Sequence, residues 1–264
     1  MRVAGNGDAA LRVVDVATRR ERALRRGSPA FAWAPDGTRI AVATLVRSTA
    51  WLAVHRPDGR LVERRRAFRA PQRRGWRAGL ASLSWSRRGF LVGVLYCASE
   101  CRGVDPASIR YFHVGGAGSP VLEIGRRQLH DPATTARPSP SGELIAFVAD
   151  GKVYVQRLGG PTSAAADAPA LLYARLAWSS DGRTVLAAGG DVLFAVDART
   201  GRVERLAEGS ERHAFHDVWA GHGGRLAVYV TGPRSFLELR SAATGALLAR
   251  TRHSFGGDGD VRWP

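Results

Sequence analysis

The feature that most constrains the fold is a short turn motif that recurs six times along a chain of 264 residues. Five copies place a tryptophan or a proline before a polar turn that ends in glycine, and the sixth ends at the last residue. Successive copies are 40 to 53 residues apart, the length of a four-stranded β-propeller blade. The copies are AWAPDG at Trp33, SWSRRG at Trp85, RPSPSG at Pro138, AWSSDG at Trp178, VWAGHG at Trp219 and RWP at Trp263.

Each repeat predicts four antiparallel strands in the same order. A short apolar strand carries the tryptophan, and the glycine of the following turn accepts the positive φ that a tight hairpin requires. A second strand of β-branched and small apolar residues follows, for example TVLAAG from Thr184, and then an alternating third strand, for example VLFAVD from Val192. A second turn leads to a fourth strand such as VERLA from Val203. No segment shows helical periodicity, so we predict an all-β protein.

The two ends of the chain complement each other. Residues 2–26 match the second, third and fourth strands of a blade and lack the first, which DVRWP at 260–264 supplies. We therefore predict one domain over residues 1–264, a six-bladed β-propeller whose ring is closed by the C-terminal strand 260–263 completing the N-terminal blade. Closure removes open sheet edges. A natural start inside a blade and a boundary trimmed from a longer exported chain both fit this arrangement.

These repeats resemble the Pro-Asp-type WD-like repeats of TolB-like six-bladed β-propellers. The resemblance covers essentially the whole chain and rests on WAPDG (33–37), PSPSG (138–142) and WSSDG (178–182), with DARTG (197–201) and SAATG (241–245) in the second turn. It implies the fold, whereas the repeat serves proteins of many functions. TolB-like propellers include a protein-binding scaffold, and similar propellers also gate prolyl-oligopeptidase-type peptidases, so the resemblance selects no function by itself.

The charge of the chain favours anionic partners. The net charge is +16, and all of the 39 basic residues except Lys152 are arginine. A field of this sign attracts nucleic acid, anionic lipid and acidic proteins, whereas GC-rich coding explains the choice of arginine but not its excess over 23 acidic residues. No run of 18 apolar residues and no signal-peptide segment occur, so we expect a protein that spans no membrane. We also expect a monomer. Its compartment is cytoplasmic by default, and periplasmic or extracellular if the chain is trimmed from an exported protein.

The two cysteines lie four residues apart, at Cys97 and Cys101. Two thiols are too few for a structural zinc site, and the CxxxC spacing is not that of a thioredoxin-type motif. We interpret them as a candidate disulfide of a loop, which would indicate an oxidising compartment. The alternative is that both thiols stay reduced.

In a propeller, the loop between the second and third strands of a blade (2–3) shares one face with the loop from the fourth strand to the first strand of the next blade (4–1). The longest irregular segments of this chain fall on that face. The pattern predicts loop insertions at residues 64–79 and 97–110, and it places residues 128–135, 210–217 and 253–260 on the same face. The sharpest electrostatic feature is an arginine cluster at 64–77 that surrounds Trp76, an aromatic suited to stacking on a base. The alternative is an outer strand and loop that arginine merely solvates. The binding candidates of this cluster are Arg69, Arg73, Arg74, Trp76 and Arg77.

A second group of candidates combines histidines and aspartates that would converge at the mouth of the central channel. Their spacing matches no metal-ligand signature, and we predict neither a metal nor another cofactor. No nucleophile elbow, P-loop or H-E-x-x-H motif occurs, so no catalytic residue is assigned. The recurring tryptophans are interpreted as packing residues between blades. The candidates are His130, Asp131, His213, His216, Asp217, Asp258 and Asp260.

Three functions follow from these observations. The first is a non-catalytic scaffold that binds another protein, preferably an acidic one, through the 2–3 and 4–1 loop face. The second is binding of a polyanion or nucleic acid through the arginine-rich segment 64–77, with affinity that falls steeply as salt rises. The third is an enzyme, a hydrolase or a lyase, with its site at the channel mouth.

Overall fold

A computed structural model describes most of the chain, and every regular element in the described part is a β-strand. No described segment forms a helix of the length and apolarity that crossing a bilayer would require. The described residues are 10–14, 21–26, 30–72, 75–97, 107–116, 119–124, 136–149, 152–160, 162–167, 175–210, 212–220, 223–233 and 235–250.

The strands form two compact units, the first of which includes the residues up to 128. In this unit a two-stranded sheet precedes two antiparallel sheets of four strands, in the orders β3-β4-β5-β6 and β10-β9-β8-β7. The strands are β1 (Ala10–Val14), β2 (Glu21–Arg26), β3 (Ala30–Trp33), β4 (Ile40–Val46), β5 (Thr49–His55), β6 (Leu61–Arg69), β7 (Arg77–Ser86), β8 (Gly89–Cys97), β9 (Ala107–Val114) and β10 (Leu122–Ile124).

The second unit, which includes residues 129–256, contains three more four-stranded sheets. In each of them neighbouring strands along the chain pair antiparallel, as the repeat predicts. The strands are β11 (Arg137–Pro138), β12 (Leu144–Ala149), β13 (Lys152–Arg157), β14 (Thr162–Asp167), β15 (Arg175–Trp178), β16 (Thr184–Gly189), β17 (Val192–Asp197), β18 (Val203–Glu208), β19 (Ala214–Ala220), β20 (Arg225–Thr231), β21 (Phe236–Ser241) and β22 (Leu247–Arg250).

The core lies between the faces of successive sheets. In the first unit one apolar cluster joins β3–β6 to β7–β9, and within it the rings of Phe68 and Phe112 stack with centroids 4.6 Å apart. In the second unit one cluster joins β12 and β13 to β15–β17, and another joins β16–β18 to β19–β21. The second strand of each sheet is therefore covered on both faces, which explains its run of small and β-branched residues.

Three of the repeated tryptophans, Trp33, Trp85 and Trp178, pack as the sequence predicts. Trp178 is buried in the core cluster of the second unit, and its indole Nε1–H donates a hydrogen bond to the Arg137 carbonyl, 2.8 Å away on the preceding sheet. Trp33 and Trp85 are half-buried against the apolar clusters of the first unit. A buried indole needs such a hydrogen-bond partner, so the tryptophan links adjacent sheets as well as filling space.

The turns at the two ends of a sheet are joined by backbone hydrogen bonds. At one end the 3–4 turn bonds to the 1–2 turn, as where the Ala198 N–H donates to the Arg183 carbonyl. At the other end the 2–3 turn bonds to the 4–1 connection, as where the Gly209 N–H donates to the Asp191 carbonyl. The predicted sharing of each end by two kinds of turn is thus confirmed for these sheets.

Three interpretations of loops were wrong in part. Residues 64–69 complete the fourth strand β6 and Arg77 begins β7, so the connection between them is only residues 70–76. Residues 107–110 of the second predicted insertion begin the third strand β9, and residues 214–217 belong to the first strand β19. For β6 the reason is that an outer strand keeps one edge in solvent, so charged residues whose stems pack on the sheet are as acceptable there as in a loop.

Ring closure and the single-domain prediction stay predictions. The segments that carry them at the two ends, residues 1–9 and 251–264, lie outside the described residues.

Two turn glycines offer a matched test of the packing between sheets. Gly182 and Gly245 both have positive φ, 70° and 68°, so alanine strains the backbone equally at either position. A Cβ at Gly182 would meet only the Pro140 side chain at 3.6 Å, whereas one at Gly245 would overlap the backbone carbonyl of Leu206 on the preceding sheet.

We therefore expect Gly245→Ala to lower the free energy of unfolding by about 1–3 kcal/mol more than Gly182→Ala does, the usual range for overpacking. Urea denaturation of both variants measures the difference. Equal losses would contradict the close approach of the β21–β22 turn to β18.

Candidate functional site

The turn between β4 and β5 has an unusual backbone. It is a two-residue hairpin loop between the paired residues Val46 and Thr49, with Arg47 and Ser48 at φ values of 47° and 69°. These are the only non-glycine residues with positive φ in the described part of the chain. Such loops usually contain Asn-Gly, because an ordinary side chain in the left-handed region costs about 1–2 kcal/mol. Strain of this kind tends to be retained where a surface has a function.

The connection between β6 and β7 holds this turn in place. The Ala70 N–H donates to the Ser48 carbonyl at 2.7 Å, and the Gln72 amide donates to the Ser48 hydroxyl at 3.0 Å. Ala70 itself is buried, whereas Gln72 and Arg69 on either side of it are exposed. The 2–3 turn and the 4–1 connection thus form one continuous surface.

We refer to this patch as the Ser48 surface and define it as Val46, Arg47, Ser48, Arg69 and Gln72. Its apolar member is Val46, which is 53% exposed, and its charged members Arg47 and Arg69 are exposed as well. Sequence reasoning missed Val46, Arg47 and Ser48, because LVRSTA contains neither glycine nor asparagine to signal a tight turn. Arg69 was predicted, and the structure connects it to this turn.

The other members of the arginine cluster serve two different roles. Arg65 is half-buried: its guanidinium donates to the Gly115 carbonyl at 2.7 Å on the neighbouring sheet and lies 3.2 Å from the Glu63 carboxylate. Arg64 and Arg66 are exposed on the outer strand, and Arg64 lies over the ring of Trp51 at 5.3 Å. Arg65 therefore holds the strand in position, whereas Arg64 and Arg66 present charge.

The predicted stacking residue is less available than its sequence position indicates. Trp76 is half-buried and packs against the apolar cluster of the first unit, beside the exposed Arg77. Arg73 and Arg74 lie outside the described residues. Stacking of a base on Trp76 stays a prediction.

The histidine and aspartate candidates on β19 have separate surroundings. The His213 ring packs on Phe236, with centroids 5.5 Å apart, and exposed His216 is at the irregular pairing between Phe215 and Asp217. The Asp217 carboxylate accepts a hydrogen bond from the Val218 N–H at 2.8 Å. Among the described residues no group of three histidine, cysteine or acidic side chains is placed to hold a metal ion. The remaining four candidates, His130, Asp131, Asp258 and Asp260, lie outside the described residues.

The pKa shifts in the described residues belong to turns and to a buried strand. The Thr38 backbone N–H lowers the pKa of Asp36, and hydrogen bonds from the side chains of Ser179 and Thr200 lower those of Asp181 and Asp197. In β9, burial lowers the pKa of His113, with a smaller contribution from Arg88. The lowered pKa values of the three aspartates favour the charged carboxylates that accept the turn hydrogen bonds, and the lowered pKa of His113 favours a neutral buried imidazole. All of these groups lie outside the Ser48 surface.

Cys97 is the last residue of β8 and is buried. Its predicted partner Cys101 lies outside the described residues, so the disulfide stays a prediction.

Comparison with known proteins identifies the fold. No model of a protein family matches the sequence, and no curated protein is similar to it. Solved structures do match. TolB from Acinetobacter baumannii superposes with a TM-score of 0.58 at 16% identity, covering 93% of this chain and 60% of that one. A chain of the mitotic checkpoint complex gives 0.56 at 12% identity, covering 94% and 75% of the two chains.

A prolyl endopeptidase also matches, with a TM-score of 0.53 at 17% identity over 95% of this chain and 40% of that one. The chain therefore spans 60% of the TolB chain and less of the peptidase. Together with the antiparallel four-stranded sheets, these likenesses show a TolB-like β-propeller fold.

The strained turn yields a prediction about stability. Replacing Arg47→Asn together with Ser48→Gly supplies the residues that this hairpin geometry prefers, at the loss of the hydroxyl that Gln72 contacts. We expect the free energy of unfolding in urea to rise by about 1 kcal/mol, because relief of left-handed strain exceeds the loss of one exposed hydrogen bond. A fall in stability would mean that the hydrogen bond between Ser48 and Gln72 contributes more to the free energy of unfolding than the relief of backbone strain does.

Proposed function

We propose that this protein is a non-catalytic interaction scaffold, which binds a partner protein with an acidic surface through the Ser48 surface. The observation that carries the proposal is the Arg47-Ser48 turn. It keeps two ordinary side chains at positive φ and is tied to the next connection through Ala70 and Gln72. A fixed, exposed turn supplies a binding surface with little entropy left to lose on association.

The chemistry of the surface indicates the kind of partner. Exposed Val46 provides an apolar contact, and Arg47 and Arg69 supply planar guanidinium groups beside it. Arginine is enriched in protein interfaces because its guanidinium donates two parallel hydrogen bonds to one carboxylate while its aliphatic stem packs on apolar surface. The net charge of +16 favours fast encounter with an acidic protein.

The comparisons support a scaffold in general terms only. The matched structures include TolB and a chain of the mitotic checkpoint complex, and their low identity carries the fold to this chain but not a partner. The proposal therefore rests on the residues of this chain.

A second candidate function is polyanion binding. Arg64, Arg66, Arg69 and Arg77 are exposed, and no ion pair joins them to an acidic group among the described residues. Exposed arginines that form no ion pair of this kind can bind phosphates or sulfates. Neutralisation of these anions by arginine releases counterions, so the affinity falls steeply as salt rises. The described contacts of His216 and Asp217 supply no argument for a hydrolase or a lyase, and no activity is proposed.

The proposal is tested by affinity capture from lysate of the source cells, with washes at about 0.5 M salt to suppress screened, nonspecific attraction. Three forms of the full chain are compared: the wild type, Arg47→Glu with Arg69→Glu, and the control Arg199→Glu with Arg202→Glu. The control changes the charge equally at exposed arginines of another sheet, in the turn between β17 and β18.

We expect one protein to be retained in near-equal amount by the wild type and the control, and at least tenfold less by the Arg47 and Arg69 variant. Equal retention by all three forms would contradict the Ser48 surface. Release of everything by salt, with nucleic acid leaving as well, would favour the polyanion function.

A further inference from the structure

Strand β6 presents the longest outer edge in the described part of the chain. It is nine residues long, whereas β10 has three, β22 has four, and β2, β14 and β18 have six. It is the last strand of the order β3-β4-β5-β6, and no described strand pairs with its outer side. Such an edge carries backbone donors and acceptors that another chain can pair with.

The strand is held firmly against the rest of its unit. Arg65 crosses to the neighbouring sheet and donates to the Gly115 carbonyl at 2.7 Å, and Phe68 stacks on Phe112 of that sheet. The guanidinium of Arg64 lies over the ring of Trp51 on the adjacent strand. Pairing with a preformed strand orders only the incoming segment, so this rigidity favours binding.

The side chains of β6 select what can pair with it. Four arginines and one glutamate give the strand a net charge of +3, and Glu63, the only acid, lies 3.2 Å from Arg65. Exposed Arg64 and Arg66 stand in the regular stretch between the irregular pairings near Val62 and Ala67. At the start of the strand Leu61 and Val62 are each 51% exposed.

We propose that the outer edge of β6 binds an extended acidic segment of another protein as an added β-strand. Backbone hydrogen bonds to the edge give affinity, and acidic side chains opposite Arg64 and Arg66 give specificity through cross-strand charge pairs. Leu61 and Val62 contact an apolar residue at one end of the segment. This edge shares only Arg69 with the Ser48 surface. Arg64 and Arg66 lie outside that surface, so binding here does not depend on the function proposed above.

Charge distinguishes this occupant from the two others that an exposed edge attracts. A second copy of the chain would place arginine opposite arginine, and like charges directly opposite destabilise a strand pair. A polyanion without amide groups would satisfy the arginines but neither the backbone edge nor Leu61 and Val62. The outer strand β18 offers a contrast within the molecule, because it carries Glu204 and Glu208 and a single Arg205 that pairs with Glu208.

The test uses the full chain and three fluorescent probes followed by anisotropy at about 0.15 M salt. The first probe is a ten-residue peptide of alternating glutamate and valine. The second is the same peptide N-methylated at its four central residues, which keeps the charge and removes the amide donors. The third is a single-stranded oligonucleotide of equal charge. The protein is compared as wild type, as Arg64→Glu with Arg66→Glu, and as the Arg199→Glu with Arg202→Glu control.

We expect the wild type and the control to bind the first peptide within twofold of each other. We expect N-methylation, and separately the Arg64 and Arg66 changes, to weaken binding at least tenfold. Because N-methylation leaves the protein unaltered, its effect does not depend on a variant folding well.

Four results would overturn the proposal. The first is equal binding of both peptides, and the second is stronger binding of the oligonucleotide with the same loss in the Arg64 and Arg66 variant; either would mean that charge alone is recognised. The third is failure of the first peptide to bind at millimolar concentration. The fourth is sedimentation of the wild type as a dimer and of the Arg64→Glu with Arg66→Glu variant as a monomer. That result would assign the edge to a second copy of the chain.

Discussion

The structure depends on burying the second strand of each sheet on both faces. Neighbouring residues such as Leu91 and Val92 in β8, and Val185 and Leu186 in β16, lie on opposite faces and have essentially no exposed surface. A strand covered in this way must lie between two packed layers, so successive sheets within each unit stack face to face and the hydrophobic contribution of each sheet depends on its neighbours. Trp178 reinforces one such contact through its bond to Arg137. The remaining features follow, because the faces of the sheets are used for packing and only their ends and outer edges stay available.

Function is therefore expected at those ends and edges. The Ser48 surface lies at one end of a sheet, where a 2–3 turn and a 4–1 connection bond through Ser48, Ala70 and Gln72. Strand β6 offers an outer edge with Arg64 and Arg66. Both surfaces belong to the sheet that carries the arginine-rich segment. In the same strand, the Arg65 guanidinium donates a hydrogen bond to the Gly115 carbonyl. A single basic segment thus combines internal anchoring with two kinds of external contact.

The repeats predicted the fold because local patterns decide it. Glycine turns and β-branched second strands mark hairpins at almost every position where the structure has them, and Gly182 has the predicted positive φ. The errors arose where charge was interpreted as irregular structure, as for residues 64–69, since an outer strand tolerates arginine as well as a loop does. The Arg47-Ser48 turn left no sequence signal, because its geometry is imposed by the pairing of β4 with β5 and by hydrogen bonds from residues distant in the sequence.

Native-state hydrogen exchange measured by mass spectrometry tests the central claim, that second strands form the core and outer strands keep a free edge. The account predicts slowest exchange in β4, β8, β16 and β20, and distinctly faster exchange in β6, whose outer side pairs with no described strand. Two results would contradict it: rapid exchange throughout the second strands would remove the packed core, and protection of β6 equal to that of β4 would mean that its outer edge is already paired.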